Sequence, residues 1–144
     1  MKKRKRPSLL VCVTGQYDCG RLIHAGSEIA IQNNYDLKVL CVLKPVKNYS
    51  ILGSEFEYLH RTATSLHSDL MILFNDDAPK AAAQYAKKVG AKQLVTGMHD
   101  GRLDGFIFKF QEYAPNISIT MISKENVITK LKASYEHVGE YYGV

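Results

Sequence analysis

The chain has 144 residues, 46% of them hydrophobic, and a formal net charge of +5. That length and apolar content suit one globular domain with its own core, and no apolar run is long enough to cross a bilayer. The charge is local: Lys2, Lys3, Arg4, Lys5 and Arg6 carry it, and without them 14 basic residues face 14 acidic ones, so the body offers no basic face for nucleic acid.

Residues 1–7 read as a basic tail. KKRKR can touch nucleic acid, anionic lipid or an import receptor, and a solvated run that aids solubility is the simpler reading. The start of the chain lacks the long apolar stretch of a secretory signal. Three cysteines, Cys12, Cys19 and Cys41, exclude a fully paired disulfide framework. Cys12 and Cys41 sit in apolar strand-like runs, so buried free thiols and a cytoplasmic location are expected.

Short apolar runs then alternate with amphipathic segments. Residues 9–14 (LLVCVT) read as a buried strand, and 20–34 as a helix with Leu22, Ile23, Ala25, Gly26, Ile29, Ala30 and Asn33 at helical spacing. Residues 37–43 (LKVLCVL) form a second strand closed by Pro45. Residues 54–67 form a helix with Phe56, Leu59, Ala63 and Leu66 on one stripe, and 69–74 (DLMILF) a third strand. Residues 77–89 form an Ala-rich helix, capped by Asp76 or Asp77 and ended by Gly90. Residues 93–96 give a fourth strand, 103–113 a helix stopped before Pro115, and 117–122 (ISITMI) a fifth strand. In residues 124–144, Val127, Leu131, Tyr135, Val138 and Tyr142 recur at helical spacing. A C-terminal helix is expected there, with an edge strand over NVITKLKASY as the alternative.

Such βα alternation predicts an α/β fold with a five-stranded parallel sheet and helices on both faces. Ligands on these sheets sit beyond the carboxyl ends of the strands, where the strand order switches. Two loops qualify. The first contains Thr14, Gly15, Gln16, Asp18 and Cys19: Thr14 offers a hydroxyl, Gly15 a close backbone approach, and Asp18 either a ribose acceptor or a helix N-cap. The second follows the fourth strand in residues 93–105 (QLVTGMHDGRLDG), where Gly97, Gly101 and Gly105 resemble neither GxxxxGK[ST] nor GxGxxG. His99 stands in it as a possible phosphate or base contact, and Asp100 and Asp104 flank Arg102. Elsewhere, His24 lies five residues beyond Cys19, and His60 and His67 are too far apart along one helix to share a metal. No set of residues completes a catalytic site.

The first loop is similar to the SGGxDS loop of ATP pyrophosphatases at Thr14, Gly15, Asp18 and Cys19, with Gln16 in place of the second glycine. Over residues 8–123 the chain resembles the universal stress protein family, nearest to the stress-protein-like domain of KdpD-type potassium-sensing histidine kinases. The segments LLVCVTGQYDCGRLIHAGSEIAIQNNYDLKVLCVLKP, DDAPKAAAQYAKKVGAKQLVTG and PNISITMIS carry the likeness. It implies a Rossmann-like (HUP-type) fold, a homodimer formed through the last strand, and a binding or signalling role. It also implies an adenine nucleotide such as ATP or AMP as the ligand. The family's ATP-binding pattern, Gly-x2-Gly-x9-Gly-Ser/Thr, begins here at Gly97. Its second glycine falls on Asp100, with Gly101 one late, and its last pair on Phe110 and Gln111. The base-facing residue would be near Val42. The Ser-x-Ser and Phe-Thr-Ala-x-Tyr elements that hold cyclic di-AMP in some kinase-type domains align in spacing with residues 14–16 and 37–41, without matching residues in the second element. The site set is therefore Thr14, Gly15, Gln16, Asp18, Val42, Gly97, His99 and Gly101, with no metal and no enzyme activity expected. A ligand-free protein-interaction module and an adenylating or hydrolytic enzyme are the alternatives.

Overall fold

The computed structural model describes residues 6–14, 17–45, 53–98 and 105–133. The apolar runs form strands β1 (Ser8–Val13), β2 (Asp36–Leu43), β3 (Leu70–Phe74), β4 (Ala91–Gly97) and β5 (Ser118–Ile122). Between them stand helices α1 (Gly20–Asn33), α2 (Gly53–Ser65), α3 (Ala78–Lys88) and α4 (Gly105–Tyr113). A sixth strand, β6 (Ile128–Leu131), follows β5, and the sheet order is β3-β2-β1-β4-β5-β6. The first five strands are parallel, and β6 is antiparallel to β5. The order reverses between β1 and β4, which both start at the centre of the sheet.

The unbroken apolar run Leu9–Val13 of β1 follows from its position. Side chains alternate between the two faces of a strand, and both faces are covered. Leu9, Val11 and Val13 pack with Leu22, Ile23 and Ala30 of α1 and with Leu59 and Ala63 of α2. Leu10 and Cys12 pack with Ala82 and Ala86 of α3 and with Ile107 and Phe110 of α4. Leu9, Leu10, Leu40, Leu94 and Ile119 are wholly buried, each worth about 1.5–3 kcal/mol of transfer free energy.

Local signals set the helix ends. The Asp77 carboxylate accepts from the Lys80 amide at 3.2 Å and caps α3, while Gly90 (φ 69°) turns the chain out of it. Asn34 (φ 59°) ends α1 in the left-handed conformation. The second helix stops at Ser65, with His67 (φ 63°) in the turn beyond it rather than in the helix. Inside α1, Gly26 allows close packing on the sheet: a Cβ there would collide with Val11 Cγ2 and lie 3.3 Å from Leu9 Cδ2.

The five expected parallel strands are joined by a sixth, antiparallel one, which makes the sheet mixed, and residues 128–131 form the edge strand given as the alternative to a C-terminal helix. The cause is a tight turn: Asn126 adopts φ 65° and donates its amide to the Ser123 carbonyl at 2.9 Å, the Ser123 amide donates to the Val127 carbonyl at 3.0 Å, and the Ser123 hydroxyl accepts from the Val127 amide at 3.0 Å. The chain is thereby sent back along the free edge of β5, pairing Ile122 with Ile128 and Ile119 with Leu131. Residues 134–144 lie outside the described residues. The basic run is also not all tail. Arg6 pairs with Asp36 at 3.3 Å and donates to the Tyr35 carbonyl at 3.2 Å, tying it to the start of β2.

Candidate functional site

A cleft of about 270 Å³ lies across the carboxyl ends of β2, β1 and β4 and reaches Lys124, two residues past β5. Each wall comes from a chain segment leaving the sheet. Val42 and Ala78 bound it on the β2 side, Thr14 and Asp18 after β1, Gly97 and Met98 at the end of β4, and Lys124 beyond β5. Helices α1 and α4 contribute Arg21, Leu22, Phe106 and Ile107. The position is where an α/β sheet of this order opens a crevice.

The polar groups cluster toward β5. Arg21, in the first turn of α1, donates from Nε to Asp18 at 3.2 Å and from Nη1 to the Ile122 carbonyl at 3.2 Å. One guanidinium thus joins the first loop to the end of β5. The Arg21 side chain is 23% exposed and that of Asp18 49%, so the ion pair adds little stability, about 0–1 kcal/mol. Beneath the cleft, the Thr96 hydroxyl donates to the Cys12 carbonyl at 3.3 Å, linking β4 to β1. The β2 side is apolar.

Asp18 does not cap α1. A 3-10 turn (Tyr17–Cys19) leads into the helix, the N-cap position is Cys19, and it makes no side-chain capping bond. The carboxylate is turned to Arg21 instead. Cys19 is buried, with its sulfur 3.5 Å from the Thr14 hydroxyl. Burial, with Cys19 nearby, pushes the Cys41 thiol up to about 12, and burial, with Cys41 nearby, pushes the Cys12 thiol further in the same direction. Such thiols stay protonated and are poor nucleophiles.

Of the residues singled out from the sequence, Thr14, Asp18, Val42 and Gly97 meet in the cleft. Gly15, Gln16, His99 and Gly101 lie outside the described residues, as do Asp100, Arg102 and Asp104. Phe110, at the family pattern's third glycine position, is wholly buried among α3, α4 and the sheet. Arg21 and Lys124 were missed. Arg21 carries a local signal, since it follows Asp18 by three residues into the helix. Lys124 carries none, because only the sheet order brings it to the site. Among the described residues there is no group of three or more His, Cys, Asp or Glu that could hold a metal, and no helix long and apolar enough to cross a membrane.

No family model matches the chain. Over 92 residues, 64% of its length, it is 28% identical to the sensor protein KdpD of Mycobacterium tuberculosis, in both strains CDC 1551 / Oshkosh and H37Rv. The chain spans about 11% of the length of these relatives. Among solved structures it is similar to a universal stress protein in complex with cAMP, at TM-score 0.62 and 15% identity over 84% of this chain and 99% of that one. It is similar also to the universal stress protein of Archaeoglobus fulgidus in complex with dAMP, at 0.63 and 15% over 83% and 98%. The universal stress protein UspA of Lactobacillus plantarum gives 0.63 and 13% over 83% and 99%. The chain has the universal stress protein fold, and its sequence is similar to part of KdpD.

Proposed function

We propose that this chain, with its universal stress protein fold, is a binding module that takes an adenine nucleotide in the cleft above β2, β1 and β4. The observation that carries the reading is the cleft itself: a concave, mostly apolar site with a few converging polar groups, at the switch in strand order. Two proteins of the same fold hold cAMP and dAMP. In this reading Val42 and Ala78 lie against the base, while Thr14 and Gly97 approach the ribose and phosphate. The module acts in the cytoplasm, and its likeness to a sensor protein favours a signalling role over catalysis.

A ligand-free protein-interaction module is the second reading, and Phe110 favours it. A core phenylalanine stands where the family's phosphate-binding pattern has a glycine, which removes that route to a triphosphate. Exposed Met71 and Phe74 on the edge strand β3 offer a contact surface. Since β6 covers β5, a homodimer joined through the sheet would use the β6 or β3 edge.

Native purification, acid release of small molecules and mass spectrometry, followed by thermal shifts with ATP, AMP, cyclic di-AMP and coenzyme A, separate the two. A ligand at a hundred times its Kd adds roughly 2.7 kcal/mol to stability. No shift with any nucleotide and no co-purified ligand would leave the interaction module standing.

A further inference from the structure

The cleft is electrically lopsided. Its β2 end is lined by Val42 and Ala78, whereas its β5 end holds a guanidinium and an ammonium, Arg21 and Lys124. Adjacent strands are separated by about 4.8 Å, so the three intervals from β2 to β5 separate the two ends by about 14 Å. A ligand spanning them must be apolar at one end and anionic at the other. The space is limited: at 270 Å³ the cleft falls below the roughly 300–1,000 Å³ of pockets for drug-sized molecules. Among the described lining residues, Lys124 and an Arg21 already paired with Asp18 leave little charge to balance a polyphosphate.

Arg21 is placed to do this work. Its Nη1 bond to the Ile122 carbonyl fixes the guanidinium at the end of β5. Its Nη2 lies 3.9 Å from where a Cβ on Gly97 would stand, toward the floor of the cleft. Its Nε is taken by Asp18, an anion supplied by the protein itself. The carboxylate is half-exposed, so releasing it to water costs little.

We infer that the cleft takes a nucleoside monophosphate, with Arg21 the specificity-determining residue for its phosphate, Lys124 beside it, and Asp18 holding the guanidinium until the phosphate displaces it. This rests on the adenine-nucleotide reading above. It replaces the glycine cradle with charge, and it reverses the role that the sequence gives Asp18: the carboxylate competes with the ligand instead of holding its ribose.

The test is calorimetry with AMP, adenosine, ATP and inorganic phosphate on the wild-type chain and three variants. Arg21→Gln should weaken AMP by about tenfold to a hundredfold, the range for a lost hydrogen bond to a charged group, while leaving adenosine unchanged. Lys124→Ala, at an exposed position, should weaken AMP about fivefold and flatten its salt dependence. Asp18→Asn should tighten AMP by a similar factor. ATP should bind the wild type no more tightly than AMP. Equal losses of AMP and adenosine in Arg21→Gln, or a weaker AMP in Asp18→Asn, would overturn the assignment while leaving nucleotide binding intact. Binding of phosphate that depends on Arg21, without binding of adenosine, would instead keep the anchor and sink the adenine reading. No binding of any of the four would sink both. Circular dichroism melts confirm that Arg21→Gln is folded, and Lys124→Ala carries the test if it is not.

Discussion

Gly97→Ala separates what the fold needs from what the ligand needs. At this position a Cβ would lie 3.5 Å from Leu22 Cδ1, 3.9 Å from Arg21 Nη2 and 3.9 Å from the Ile122 carbonyl oxygen, all ordinary contact distances. The backbone there has no left-handed φ to penalise a side chain. Alanine should therefore stabilise the protein by about 0.4–1 kcal/mol, through the lower entropy of the unfolded chain. For a domain of this size that is a rise in Tm of about 1–4 °C. The same methyl projects toward Leu22 and Arg21, both of which line the cleft. There it meets any ligand that approaches the β4 backbone, at an overpacking cost of about 1–3 kcal/mol, or about fivefold to a hundredfold in Kd. Differential scanning calorimetry with and without AMP reads both effects. A Tm lowered by more than a few degrees would mean that the glycine is structural. An unchanged AMP affinity would mean that no ligand comes close to β4, and the floor of the proposed site would be wrong.

Gly26→Ala should behave in the opposite way: the added Cβ collides with Val11 Cγ2. An overpacking cost of about 1–3 kcal/mol, partly offset by the helix preference of alanine over glycine, lowers the urea midpoint; an unchanged midpoint would mean that α1 can lift off the sheet freely. The buried thiols make stability fall in alkali. Cys41 has its folded-state pKa raised from 9.0 to about 12, so its contribution is complete below pH 9.0 and is lost as pH rises from there toward about 12, at about 1.4 kcal/mol per pH unit. Cys41→Ala should flatten that slope in urea titrations across the window, and an unaltered slope would rule out Cys41 as its source. Truncation after Ser123 removes β6 and bares the β5 edge, an open template for strand pairing. Light scattering should then show a larger species than the full chain forms, and an unchanged mass would show that β6 is not what guards the edge.

The parts of the fold that were legible in the sequence are those fixed by local chemistry. A strand covered on both faces must be apolar at every position, and LLVCV is. The third helix carries its start in Asp77 and its stop in Gly90, and both operate as read. β6 stayed open between helix and edge strand because the apolar spacing from Val127 to Leu131 fits one helical turn as well as two strand repeats. What decides it is nonlocal, namely the free edge of β5 and the turn at Asn126. The site divides in the same way. Thr14 follows β1 and Gly97 ends β4, so their place could be read from the βα pattern. The second partner of Arg21 could not, because the Ile122 carbonyl lies 101 residues away in sequence and becomes its neighbour only through the order of strands.

Phe110 shows that the departure from the glycine pattern reaches into the core. It is wholly buried and stacks with Phe106 at a centroid distance of 6.2 Å. Restoring glycine there would empty the space between α4 and the sheet, at a cost of at least about 3–5 kcal/mol. The C-terminal part of the pattern is thus a structural position in this chain, and no adjustment of a surface loop would recover it. Any phosphate held in the cleft must find its donors elsewhere. Among the described cleft-lining residues the cationic groups are Arg21 and Lys124, and the first is fixed by the β5 carbonyl on one side and by Asp18 on the other. A guanidinium held by a neutral acceptor and an exposed anion can exchange the anion without losing its position. That gives the cleft an anion site whose affinity depends on Asp18, where a backbone cradle would not.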